Sequence, residues 1–164
     1  YMCELGKVLV PLPTDACNLA ITERIHNGLA VAVHVRSFDA PHWLGVNNAP
    51  GDYYARAIAR MESLAPDEHY FIFFDQPAAA RDRIPLPEDH ITLVSHNQGD
   101  EDAYAALGLM TQCQLFIIAN SAFRWWAWLA ERAGKRVLAL GFEMREGKMS
   151  WGFEGLLPEQ RIKL

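Results

Sequence analysis

The sequence predicts an α/β domain, doubly wound around a mostly parallel sheet. Three observations carry that expectation. Strand-like and helix-like segments alternate along the chain. The strand segments are near-continuous apolar runs, which suits strands covered on both faces. The length, 164 residues, is that of one ordinary domain with a sizeable core. No internal boundary is visible, so residues 1–164 are read as one unit.

Taken in order, residues 16–28 are expected to form a helix leading into the first strand. "VAVHVRS" (31–37) is a short run rich in β-branched residues and reads as that strand. "GDYYARAIARMESLA" (51–65) places Tyr54, Ala57, Ile58, Met61 and Leu64 at helical spacing. "HYFIFFDQ" (69–76) is apolar, aromatic and short, a second buried strand. "PAAARDRIPLP" (77–87) reads as a loop or short helix with a proline-rich exit. "HITLVSHN" (90–97) is the third strand. "DEDAYAALGLMTQC" (100–113) is a helix with acids in its first turn, where the macrodipole favours them. "QLFIIAN" (114–120) is the fourth strand. "SAFRWWAWLAERAG" (121–134) is a helix starting at Asn120 or Ser121 and ended by Gly134. "KRVLALGF" (135–142) is the fifth strand.

Composition narrows the function. The chain is 51% hydrophobic, 21% charged and 11% aromatic, with a formal net charge of -5 at pH 7. A nucleic-acid partner held by bulk electrostatics would call for a basic face, so none is expected. A small anion remains compatible with a local Arg and backbone amides. No apolar run approaches the roughly 20 residues of a membrane span. Peripheral contact with a membrane is left open. Cys3, Cys17 and Cys113 have no metal or disulfide spacing, which fits a reducing compartment and a cytoplasmic location. Tyr1 in place of an initiator Met suggests a piece of a longer chain.

Ligands of such folds bind beyond the carboxyl ends of the strands. Three stretches fall there. In "HVRSFDAPHW" (34–43), His34 and Arg36 are two apart on a strand and so share a face. Arg can grip a phosphate through two parallel N–H bonds; a carboxylate partner for Arg36 and a core role for His34 are the alternative. At the end of "IIAN", Asn120 and Ser121 stand at a helix N-terminus, whose free amides attract anions; simple N-capping is the alternative for Ser121. In "SHNQGDED" (95–102), Asp100, Glu101 and Asp102 are read as a helix start, and no metal site is expected.

"VHVRSFD", "FIFF", "SHNQGDEDAYAALGLMTQCQLFIIANSAFRWWAWLAE" and "WGFEGLLPEQRIKL" together resemble the C-terminal part of the family 11 glycosyltransferases, the bacterial and animal α-1,2-fucosyltransferases. The resemblance runs from about residue 30 to the C-terminus and is strongest over 96–131. It implies the Rossmann-like, nucleotide-holding half of a GT-B enzyme, with GDP-fucose as donor substrate and a glycan hydroxyl as acceptor. It implies no cofactor and inverting, metal-independent transfer. His34 and Arg36 match the family's H-x-R, with Arg36 on the donor pyrophosphate. Asn120, Ser121 and Phe123 match its strand-to-helix motif, and Trp125 and Trp126 its paired tryptophans, to which a structural role is assigned.

Departures bear on the expectation. Ser37 and Phe38 stand where the family has Arg and Gly, leaving only Asp39 of that triplet. Ala106 stands where it has an Asp expected to read guanine, and Asp102, one turn earlier, is the substitute candidate, with simple capping of the helix as its alternative. The family's N-terminal half is missing from this sequence, so that half or another subunit is an expected partner. Arg36 and Asp39 are thus the candidate catalytic residues, Asp39 as a base. His34, Arg36, Asp102, Asn120, Ser121 and Phe123 are the candidate donor-binding residues. A non-catalytic nucleotide- or glycan-binding module, or a transferase using another nucleotide sugar, is the alternative.

Overall fold

The structure is a computed structural model that describes residues 15–37, 49, 51–97, 99 and 102–118, with the backbone of 136–139 and 162–163. Asp39, Asn120, Ser121, Phe123, Trp125 and Trp126, and the helix read at 121–134, lie outside the described residues.

The described elements alternate as the sequence predicts. Helix α1 (Ala16–His26) precedes strand β1 (Ala30–Val35). Helix α2 (Tyr53–Glu62), strand β2 (His69–Phe74) and helix α3 (Pro77–Arg83) follow. A single 3-10 turn (Glu88–His90) leads into β3 (Ile91–Val94). Then come α4 (Ala103–Met110), β4 (Leu115–Ile118), β5 (Arg136–Ala139) and a two-residue β6 (Ile162–Lys163). The segment 77–87, readable as loop or helix, opens as a helix because Pro77 suits a first-turn position, where no N–H is needed. Strand β6 is an addition to the predicted set; its two residues carry no pattern a sequence could show.

All strand pairs are parallel, in the order β3-β2-β1-β4-β5-β6. That is the doubly wound, Rossmann-type order, in which the chain builds outward from β1 on one side and then on the other. The direction reverses between β1 and β4.

Helices cover both faces, and β1 shows why its residues are what they are. Val31, Val33 and Val35 point into one core cluster with Tyr53, Tyr54, Ile58 and Met61 of α2 and Ala80 of α3. Ala30 and Ala32 point into the other, with Ile25 of α1 and Leu109 and Met110 of α4. Ala32 pairs with Phe71 on one side and Phe116 on the other. A small central residue between two buried rings lets them fill the layer at interior packing density.

Helix α1 begins at an N-cap, Asp15, whose Oδ1 accepts from the Asn18 N–H at 2.9 Å. Asn18 is buried and binds on to the exit of β3. Its Oδ1 is 2.9 Å from His96 Nε2 and accepts from Asn97 Nδ2 at 2.7 Å. His96 and Asn97 follow β3 at the carboxyl edge of the sheet, so this network ties α1 to that edge.

Candidate functional site

A cleft of about 290 Å³ opens at the carboxyl ends of β1, β2 and β3, on the face covered by α1 and α4. Its polar side is made by His34, Arg36, Asp75 and Asn97. Its apolar side is made by Phe73, Val94, Ala106 and Met110, among others. It adjoins β1, the strand next to the switch point, where ligands of this topology bind.

The two-residue spacing of His34 and Arg36 does bring both to the cleft. They differ in environment. His34 is 6% exposed. Burial, and then the positive charge of Arg36, lower its pKa to about 4, so the ring is neutral at pH 7. A neutral imidazole presents one N–H donor and one acceptor. The Arg36 side chain is 44% exposed, open enough to meet a ligand.

Register decides what stands beside Arg36. Val35 of β1 is level with Phe74 of β2. One step further puts Arg36 level with Asp75, and Arg36 Nη1 lies 3.3 Å from Asp75 Oδ2. The same carboxylate accepts the Ser37 N–H at 3.0 Å and 3.1 Å, one distance to each oxygen. Asp75 thus joins the exit of β2 to the exit of β1. It is absent from the sequence-predicted site. The signal was a lone acid directly after the apolar run "HYFIFF", at a strand's carboxyl end.

Asp102 departs from its expected role. It is exposed, it does not line the cleft, and its side chain makes no capping bond. Its backbone carbonyl accepts from Ala105 and Ala106 instead. The helix starts at Ala103, and upstream of it Gly99 takes φ 83°. Asp102 is therefore a junction residue with φ -98° and ψ -5°, not a member of the helix face that carries Ala106 into the cleft.

The opposite face locks the switch point. Tyr54 Oη donates to the His34 carbonyl at 3.1 Å, and Tyr53 Oη to the Ile118 carbonyl at 2.8 Å. Burial raises the Tyr54 pKa to about 12, so its hydroxyl stays a donor. Two neighbouring residues of α2 thereby hold the carboxyl ends of both central strands. The sequence reading placed Tyr54 on the buried helical face but assigned neither hydroxyl.

His34 makes stability depend on pH. Its folded pKa lies below the ordinary value of 6.5. Between about 6.5 and 4 the unfolded chain binds a proton that the folded chain does not, so stability falls as pH falls through that window. The expected loss is a few kcal/mol at most. Urea midpoints at pH 7.5 and 5 should show it, and His34→Gln should flatten the difference. His69, whose pKa burial also lowers, contributes with the same sign.

The fold and cleft define a class: a doubly wound α/β domain with a ligand cleft at the carboxyl edge of its central strands. Within that class the chain is similar to a sugar-transferring enzyme. It is 30% identical over 123 residues to the O-antigen biosynthesis glycosyltransferase WbnK of Escherichia coli, a match covering 70% of this chain and 40% of that protein. The chain is thus related to a glycosyltransferase and spans well under two thirds of that relative's length. No family profile and no solved structure matches it. Among the described residues no helix is long and apolar enough to cross a membrane, and no three His, Cys, Asp or Glu side chains are grouped to hold a metal ion.

Proposed function

We propose that this chain is the donor-nucleotide-binding part of a glycosyltransferase that moves a sugar from a nucleoside diphosphate to a glycan hydroxyl. The observation that carries the reading is the cleft itself. A neutral buried His34 and an exposed Arg36 flank a slot with an apolar wall, at the edge where this topology binds ligands. The similarity to an O-antigen glycosyltransferase supports the same class of reaction.

In this reading the apolar wall takes the base, and Arg36 takes the diphosphate. The bond from the sugar's anomeric carbon to the diphosphate oxygen breaks as the acceptor oxygen attacks. The leaving diphosphate gains charge, and Arg36 stabilises it with donors already in place, an effect worth a few kcal/mol per donor in comparable sites. Asn120, Ser121 and Phe123 complete the phosphate end by resemblance, and Asp39 is the candidate base for the acceptor hydroxyl. Inversion, metal independence and GDP-fucose as donor belong to the same proposal.

A second reading concerns the donor. Ala106, not an acid, faces the cleft from α4, and Asp102 stays outside it. Guanine offers two adjacent N–H donors that suit a carboxylate, so this arrangement favours a nucleotide sugar with another base. Calorimetry of the chain with GDP, UDP and ADP and their sugars, with and without Mn²⁺, tests both readings. Binding of GDP or GDP-fucose without metal is expected. Preference for UDP or ADP would move the reading to the second donor, and binding of none would remove nucleotide recognition from this chain.

A further inference from the structure

We propose that Asp75 is the positioning residue of the cleft, a strut that anchors the exit of β1 through the Ser37 amide and holds the Arg36 guanidinium in the arrangement that receives a diphosphate. The inference rests on the nucleotide reading for what the strut serves, and on geometry alone for the strut itself.

Asp75 directly follows β2 but acts on the two residues that follow β1. One carboxylate bridges the exits of two neighbouring strands, accepting a main-chain N–H through both oxygens and a guanidinium through one of them. Its side chain is 23% exposed, against 44% for Arg36, so the strut sits deeper than the group it holds. An exposed ion pair is worth little for stability, about 0–1 kcal/mol. Its value lies elsewhere. Arg is a long side chain, and fixing its rotamers before a ligand arrives removes an ordering cost from binding. Holding the Ser37 amide also fixes the chain at the point where it leaves the sheet.

The electrostatic consequence runs the other way, which makes the idea testable. A carboxylate beside a diphosphate repels it. Arg36 and Asp75 carry opposite charges, and His34 is neutral at pH 7. The cleft then recognises its ligand by directed hydrogen bonds more than by surplus positive charge. If Asp75 were only a counter-charge, its removal would tighten anion binding. If it is a strut, its removal weakens binding even though a repulsion is relieved.

The experiment is a double-mutant cycle on the whole chain, Asp75→Ala and Arg36→Ala singly and together, with GDP, UDP and inorganic pyrophosphate as probes in calorimetry. Asp75→Ala alone should weaken the nucleoside diphosphate by about tenfold, comparable to ordering one long side chain. With Arg36 already removed, Asp75→Ala should cost nothing further or should tighten binding. Asp75→Asn, which keeps an acceptor oxygen for the Ser37 amide but loses the charge on Arg36, should fall between wild type and Asp75→Ala and guards against a variant that fails to fold. Losses that simply add across the cycle, or tighter binding by Asp75→Asn than by wild type, would overturn the proposal. A ligand-free measurement separates it from the nucleotide reading. In Asp75→Ala the Ser37 amide should exchange with solvent faster and the Arg36 Nε–Hε signal should lose order. If neither changes, Asp75 is no strut. If the wild type binds no nucleoside diphosphate, the nucleotide reading fails while these two signals still decide the role of Asp75.

Discussion

Tyr53→Ala is expected to destabilise the fold by about 3–5 kcal/mol, the range for truncating a large buried aromatic side chain. Tyr53 is fully buried in the core cluster beneath β1, edge-on to Tyr54 at a ring-centroid separation of 5.0 Å. Its loss leaves a cavity at the junction of α2 with the sheet and strips the Ile118 carbonyl of its hydroxyl donor. A whole domain is stable by only about 5–15 kcal/mol, so one such change threatens folding. Tyr53→Phe separates the two contributions. It keeps the ring and removes the hydrogen bond, at a cost of about 0.5–1.5 kcal/mol, or up to about 3 if the buried carbonyl finds no other partner. Urea unfolding with an unchanged m-value should rank the proteins wild type, Phe, Ala. If Tyr53→Phe unfolds at the wild-type midpoint, the hydroxyl does not hold the end of β4, and the clamp on the switch point reduces to packing.

Arg36→Ala should leave the fold almost intact and weaken diphosphate binding by about 1.5–3 kcal/mol, the range for hydrogen bonds to a charged group. The two halves of that expectation have separate causes. The guanidinium is 44% exposed and its partner Asp75 is 23% exposed, so their ion pair contributes little to stability. In the proposed role Arg36 is the cation of the cleft that meets the phosphates. Arg36→Lys keeps the charge and loses the planar fork, so it should recover part of the affinity and not all of it. Calorimetry with GDP, paired with a thermal melt, reads both halves. A melt unchanged from wild type with equally unchanged GDP affinity would take Arg36 out of the site.

The placement of His34 and Arg36 was legible because a strand has a period of two. Their spacing, and the position of "VAVHVRS" before a helical segment, put both at one edge and on one face, and the structure has them lining one cleft. The role offered to Asp102 was not legible in the same way. The sequence pattern makes the acids of 100–102 the first turn of a helix, and helical spacing then puts Asp102 on the side of Ala106. The helix begins at Ala103. A start displaced by a few residues moves an acid off the helix face altogether, and helix ends are where sequence patterns are least sharp. Asp75 was missed for a different reason: nothing near it in the chain marks it as a partner of Arg36.

Local periodicity and composition encode alternating strands and helices, strands buried on both faces, and therefore a doubly wound parallel sheet. They also fix which residues of one strand share a face. The strand order, and with it every relation across strands, is set by how the whole chain packs. Placing β2 and β4 on either side of β1 sets Asp75 beside Arg36 and brings the Tyr53 hydroxyl to the Ile118 carbonyl. The physical reason is that a strand's own pattern tells which faces must be buried but not which neighbour buries its edges. Backbone pairing is nearly the same for any two apolar strands. The order is settled by how all the side chains of both layers fill space at once, as Ala32 does between Phe71 and Phe116.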